Sequence, residues 1–268
     1  MQAFFLPGNP GQRFCLYHAA NNKARGAVIY LHPFAEEMNK SRRMAALQAR
    51  AMSEAGYDVL QIDLLGCGDS TGDFADANWQ AWQEDVLVAY HWLRTQSQAP
   101  LILWGMRAGC LLAVTAAVNL PEDTNFIFWQ PVVFGRQHWQ QFMRLKMAGE
   151  LASGRAKEVA EQLRQQLAAG QRVEIAGYSV SPELVNGLEN AELLWPTIGR
   201  RQVAWLEVST RDNPTLGPVS QKCIDQWQAA GFNVDAQVVN GPAFWQTTEI
   251  EDALALIVAT LTVLESWQ

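Results

Sequence analysis

The stretch Leu101-Ile102-Leu103-Trp104-Gly105-Met106-Arg107-Ala108-Gly109 decides how this chain is read. Its first four residues are apolar and make a short buried strand. Gly105 to Gly109 then form a sharp turn, and residues 110–118 (CLLAVTAAV) run on as an apolar helix. A strand, a G-x-x-x-G turn and a packed helix together read as a nucleophile elbow. The first glycine lets the chain reverse without a Cβ clash, and the second lets the helix close onto the neighbouring strand. Such an elbow holds its middle side chain at the top of a parallel sheet, where a serine would attack a carbonyl. Here the middle residue is Arg107. A guanidinium stays protonated and has no acceptor lone pair, so it cannot be the nucleophile.

Outward from the elbow, strands alternate with helices. Residues 2–6 and 13–19 flank the turn cluster Pro7-Gly8-Asn9-Pro10-Gly11 and predict an antiparallel edge hairpin. Residues 26–32 (GAVIYLH) form a near-continuous apolar run, as expected of a strand covered on both faces. The loop Pro33-Phe34-Ala35 follows, then apolar residues at helical spacing over 41–55, with Gly56 as the stop. After the strand 58–65 comes a D-x-x-G-x-G-x-S-x-G loop from Asp63 to Gly72, whose glycines permit a tight turn. A helix over 78–96, the elbow and a strand over 125–130 complete the first half.

Residues 135–199 break the alternation. Helices are expected over 139–152, 156–169 and 182–193, with a short hairpin over 172–181. This insertion sits where a lid would cover a cleft. The core resumes with a strand over 202–209, a loop holding Asp212, a helix over 218–230 and a last strand over 234–239. Thr248 and Glu251 are placed to form a capping box for a final helix. The pattern predicts a mostly parallel, doubly wound α/β sheet with its site at the strands' carboxyl ends, in one domain spanning 1–268.

The chain carries a formal net charge of −7, which argues against nucleic acid and anionic membrane surfaces as partners. Cys15, Cys67, Cys110 and Cys223 have no metal-site spacing and read as reduced, buried thiols, so neither a metal nor a cofactor is expected. The N-terminal residues lack the features of a signal peptide. The longest apolar run, 253–264, is too short to span a bilayer, and the expected location is cytoplasmic. The eleven tryptophans are expected in the core and lid, or lining an apolar cavity.

In order, the HPF loop, the glycine loop, the elbow, the helical insertion and the acid loop resemble the α/β-hydrolase fold over nearly the whole chain. More narrowly, residues 57–63 (YDVLQID), 66–70 (GCGDS) and 173–178 (VEIAGY) resemble the exosortase A system-associated hydrolases of the second type. That family occurs near export and exopolysaccharide genes in Gram-negative bacteria and is assigned as hydrolase by superfamily membership.

A working superfamily member needs Ser, Asp or Glu, and His in chain order. The first position carries Arg107 and the second carries Asp212. The third reads Gly241-Pro242-Ala243-Phe244-Trp245, with Phe244 in the histidine's place, and no histidine follows His138. Ser70 is expected to be a turn hydroxyl, Cys110 to point into packing, and His32 to be fixed by backbone hydrogen bonds. His138 opens the insertion, where it can face the cleft but is poorly placed for a rigid triad. Glu36 and Glu37 read as solvated, or paired with Arg42 or Arg43.

A buried cation at the elbow needs a partner. By topology Asp212 comes first and Glu36 next, or else Arg107 binds a ligand's carboxylate or phosphate. The N–H groups of Ala108 and Phe34 would leave a donor pocket without a nucleophile. The candidate ligand-contacting residues are therefore His32, Phe34, Met106, Arg107, Ala108 and Trp245. The resulting expectation is a hydrolase-like protein without Ser–His machinery, binding a small acyl or anionic ligand or a partner protein of the export or polysaccharide system. The alternatives are an ester or thioester hydrolase using other residues, and a structural partner of a sister hydrolase.

Overall fold

The computed structural model describes residues 1–121, 123–148, 155–194 and 201–267. The apolar runs of the sequence become the strands at the centre of one sheet. Strands β3 (Gly26–Leu31) and β5 (Leu101–Met106) are buried along their whole length, and β6 (Asn125–Trp129) is buried from its second residue on. Helices cover them on both faces, which removes the alternation that a half-solvated strand needs.

The remaining sheet strands are β1 (Gln2–Pro7), β2 (Gln12–His18), β4 (Tyr57–Ile62), β9 (Gln202–Ser209) and β10 (Asn233–Asn240). The order across the eight-stranded sheet is β1-β2-β4-β3-β5-β6-β9-β10. The hairpin β1–β2 is the antiparallel edge, β2 joins β4 antiparallel, and every pairing beyond β4 is parallel. The strand order reverses between β3 and β5, and the elbow stands at that crossing. In open parallel sheets a ligand crevice forms at such a switch point.

One face carries α2 (Trp79–Gln96), α3 (Ala108–Ala117) and α7 (Pro218–Ala229); the other carries α1 (Glu36–Glu54) and α8 (Leu254–Ser266). Asn78 caps α2 through the Ala81 N–H. The helix α8 starts at Leu254 after Ala253, with no side-chain cap. Thr248 and Glu251 thus lie outside it, and the capping-box expectation fails. Burial of Leu256, Ala259, Val263 and Leu264 against the sheet fixes this helix instead.

Between β6 and β9 the chain inserts α4 (Gly135–Ala148), α5 (Ala156–Ala168), a small hairpin β7 (Val173–Ile175) and β8 (Tyr178–Val180), and α6 (Pro182–Asn190). The expected last turn of the first inserted helix, and the end of the insertion at 195–199, lie outside the described residues. Ser181 caps α6 and also donates to the Ala77 carbonyl at 2.8 Å, which ties the insertion to the body of the fold.

The elbow glycines are required by close approach. A Cβ on Gly109 would sit 2.2 Å from the Leu31 carbonyl oxygen of β3, and one on Gly105 would sit 2.6 Å from the Cys110 Cα. The positive φ falls on Arg107 itself, at φ 53° and ψ −120°. A non-glycine residue held there stores on the order of 1–3 kcal/mol of strain, a feature that clusters at functional sites.

Candidate functional site

Arg107 stands at the end of β5, immediately before α3. Its backbone N–H donates to the Trp129 carbonyl at 3.0 Å, so the turn is pinned to the end of β6. A cation at a helix N-terminus meets the positive end of the macrodipole, which is unfavourable without an acid nearby. That acid is Glu37. Arg107 Nε donates to Glu37 Oε1 at 3.2 Å, and both side chains are largely buried. The indole of Trp245 lies below the guanidinium, 5.4 Å from its carbon to the ring centre. With Nε committed, the terminal amino groups of Arg107 make no hydrogen bond among the described residues.

Glu37 lies in the first turn of α1, which begins five residues earlier than its apolar spacing predicts. The residue before the helix, Ala35, has φ 50° and ψ −125°, nearly the conformation of Arg107. Two strained residues therefore precede the two helices whose N-termini frame the cleft. The expected partners for the acids prove wrong. Glu37 is neither solvated nor paired with Arg42 or Arg43; Arg42 binds Asp63 and Arg43 binds Asp252. Asp212 does not pair with Arg107 either; it lies exposed in the loop after β9.

His138, on α4, completes the cluster. Its Nε2 is 3.9 Å from Glu37 Oε2 and its ring meets Phe34 edge-on at 6.0 Å. Neither ring nitrogen of His138, nor Glu37 Oε2, has a hydrogen-bond partner among the described residues, although all three are buried. Buried polar atoms are nearly always paired, and these border a cleft of about 330 Å³. Phe34, Glu36, Lys40, Gln141, Phe142, Leu145 and Gln246 complete its walls. Burial pushes the Glu37 carboxyl up to about 6, against the pull of Arg107. Burial, and secondarily Arg107, pushes His138 down to about 3. Above pH 6 the cleft thus holds an Arg⁺–Glu⁻ pair and a neutral imidazole.

The His138 shift has a consequence for stability. The group is neutral in the fold but takes a proton on unfolding below its ordinary value of 6.5. The resulting stability is present above pH 6.5 and is lost as pH falls towards 3. Between pH 7 and 4.5 the parent should lose about 3 kcal/mol more than His138→Gln, from roughly two pH units at 1.36 kcal/mol each. Urea denaturation of both proteins at the two pH values reads this difference; equal losses would contradict it.

The remaining sequence candidates are dispersed. Phe34 lines the cleft as expected. Met106 does not: it is fully buried, and the Tyr30 hydroxyl approaches its sulfur at 4.0 Å. Strand alternation sends it to the α1–α8 face. Trp245 supports Arg107 without lining the cleft, and the neighbouring Phe244 packs into the core against Trp129. His32 is backbone-bound as expected, to the Pro33 carbonyl at 2.8 Å and the Leu64 N–H at 3.4 Å. It borders a separate cavity beside α1. Ala108 is buried in the first turn of α3, where its N–H has no acceptor within the helix. Ser70 is the turn hydroxyl expected, accepting from Phe14 N–H and donating to the Asp63 carbonyl. Cys110 is buried with its thiol against the Trp129 carbonyl. All four cysteines are free and buried.

The comparisons agree with this architecture. Residues 22–206 match the family model described as "Serine aminopeptidase, S33". The human protein ABHD12B is 33% identical over 113 residues, 42% of this chain. That stretch spans only 30% of the relative's own length. Among solved structures, Est1E from Butyrivibrio proteoclasticus, with ferulic acid bound, superposes with a TM-score of 0.65 at 15% identity over 99% of this chain and 98% of its own. Mouse alpha/beta hydrolase domain-containing protein 10 gives 0.60 at 16% identity over 100% and 98%. With strand order, elbow and family match in accord, the chain belongs to the serine aminopeptidase S33 family of the α/β-hydrolase superfamily.

Proposed function

We propose that this chain is a hydrolase-fold protein that binds a small acyl ligand by its anionic head and does not hydrolyse it. The carrying observation is the state of Arg107. It occupies the elbow apex, is oriented by Glu37 and Trp245, and its two terminal amino groups, at the edge of the cleft, make no hydrogen bond among the described residues. A carboxylate or phosphate matches that fork and the N-terminus of α3 behind it. Position 107 has no hydroxyl or thiol, and the residue facing it from the loop after β10 is an indole, so the Ser–His machinery is absent from both places. Within this reading residues 135–199 act as a lid on a single domain, and the protein works in the cytoplasm. The resemblance of residues 57–63, 66–70 and 173–178 to exosortase A-associated hydrolases supports a ligand or partner in export or exopolysaccharide synthesis.

A second reading is hydrolysis of an ester or thioester by other residues, favoured by the neutral His138 beside Glu37 as a water-activating pair. Turnover of short p-nitrophenyl esters separates the two. No turnover above background is expected, together with a rise in melting temperature on adding small carboxylates. Turnover that disappears in His138→Gln would instead establish the second reading.

A further inference from the structure

The cleft at Arg107 does not end there. A second cavity of about 170 Å³ shares Arg107, His138 and Gln141 with it and continues past Pro131 and Val132. A third, of about 380 Å³, shares Val133, Phe134 and Val219 with the second and is mainly apolar. The three hollows share walls in series, from the elbow to the start of α7. They are charged at the elbow, and the far hollow is mainly apolar, with Val133, Phe134, Leu193, Leu194 and Val219 on its walls beside Glu192, Lys222 and Gln226. Phe134, Leu194 and Val219 are 36%, 47% and 50% exposed, an apolar strip between the insertion and α7. Isolated exposed apolar residues need no explanation, but a strip continuous with a charged site marks a binding groove.

We infer that the ligand is an amphipathic carboxylate: its head sits on the terminal amino groups of Arg107, and a straight alkyl chain runs past Gln141 into the hollow between Phe134 and Val219. This deepens the anion-anchoring reading of Arg107 and rests on it. The unpaired N–H of the neutral His138 ring, beside the Arg107 amino groups, suits the head end as a further donor, whereas the Glu37 carboxylate only accepts and opposes the head. The apolar hollow accounts for the tail, since transfer of each methylene from water favours binding.

The test is calorimetric titration of the full chain with straight-chain carboxylates from acetate to dodecanoate, each below its micelle concentration. Affinity should climb about fourfold per added methylene, from roughly 0.8 kcal/mol each, and level off when the groove is full. Val219→Trp, at a half-exposed site on the first turn of α7, should leave the shortest chains unaffected and stop the climb earlier. Flat affinity along the series, with short chains held through Arg107, would overturn the groove and leave the anion reading standing. A climb that Val219→Trp does not alter would also overturn it. If no chain length binds, both readings fall.

Discussion

Asp85→Ala is expected to cost about 3–5 kcal/mol, a large share of the roughly 5–15 kcal/mol that holds a domain folded. Asp85 lies mid-helix in α2, yet it is only 2% exposed, and its partner Arg13 on β2 is fully buried. Arg13 Nε donates to Asp85 Oδ1 at 2.6 Å, and the other carboxylate oxygen accepts from Leu65 N–H at 2.7 Å. Arg13 also donates to the carbonyls of Pro10 and Asn9. One ion pair thus ties the edge hairpin, the glycine loop and α2 together. Burial raises the Asp85 carboxyl to about 6, and the Leu65 N–H and Arg13 only partly offset that. The pair contributes little net stability by itself, but removing one member strands a buried guanidinium. The companion Arg13→Met/Asp85→Leu should recover most of the loss. Urea denaturation checks both, and an Asp85→Ala protein within 1 kcal/mol of the parent, taking about 1 as ordinary for a point change, would refute the account.

Arg107→Gln is expected to weaken carboxylate binding about 100-fold, the value of roughly two charge-assisted hydrogen bonds. Glu37→Gln is expected to act in the opposite direction. It keeps an acceptor for Arg107 Nε but removes the negative charge beside the ligand's head, so binding should tighten by about tenfold at pH 7. The parent should approach the same affinity by titration. Its Glu37 carboxyl, at about 6, gains a proton as pH falls towards 5, and the ligand then meets an uncompensated guanidinium. The other groups facing this point are Glu36 and Lys40 from α1 and His138 from α4. His138 stays neutral over that range because its own value lies near 3. Calorimetry at pH 7 and 5 should therefore show tighter binding at the lower pH in the parent and a smaller change in Glu37→Gln, where Glu36, also raised by burial, remains to gain a proton. An unchanged parent would separate Glu37 from the ligand's head.

The elbow was readable because its constraints are local. Gly105 and Gly109 sit where any Cβ would meet backbone, and apolar runs such as residues 26–31 and 101–106 can only be strands sealed on both faces. The partner of Arg107 was not readable. Glu36 and Glu37 follow a loop and resemble any solvated helix start, and only the approach of α1 to the β5–α3 turn shows that Glu37 points inward. Asp212 stood at the right place in the order, yet its loop leaves it in solvent. Met106 missed the cleft by strand alternation, and the aromatic facing the elbow proved to be Trp245, one residue beyond the position expected for the histidine.

The sequence by itself determined the fold, the elbow and the cation at its apex, because glycine spacing and apolar periodicity act over a few residues. Only the tertiary structure decided which acid neutralises Arg107, that His138 shares its cleft, and that three hollows with shared walls lie beside it. Those facts depend on side chains far apart in the chain, Glu37, Arg107, His138 and Val219. Their meeting is set by the packing of α1, α4 and α7 around the sheet, which no local pattern encodes.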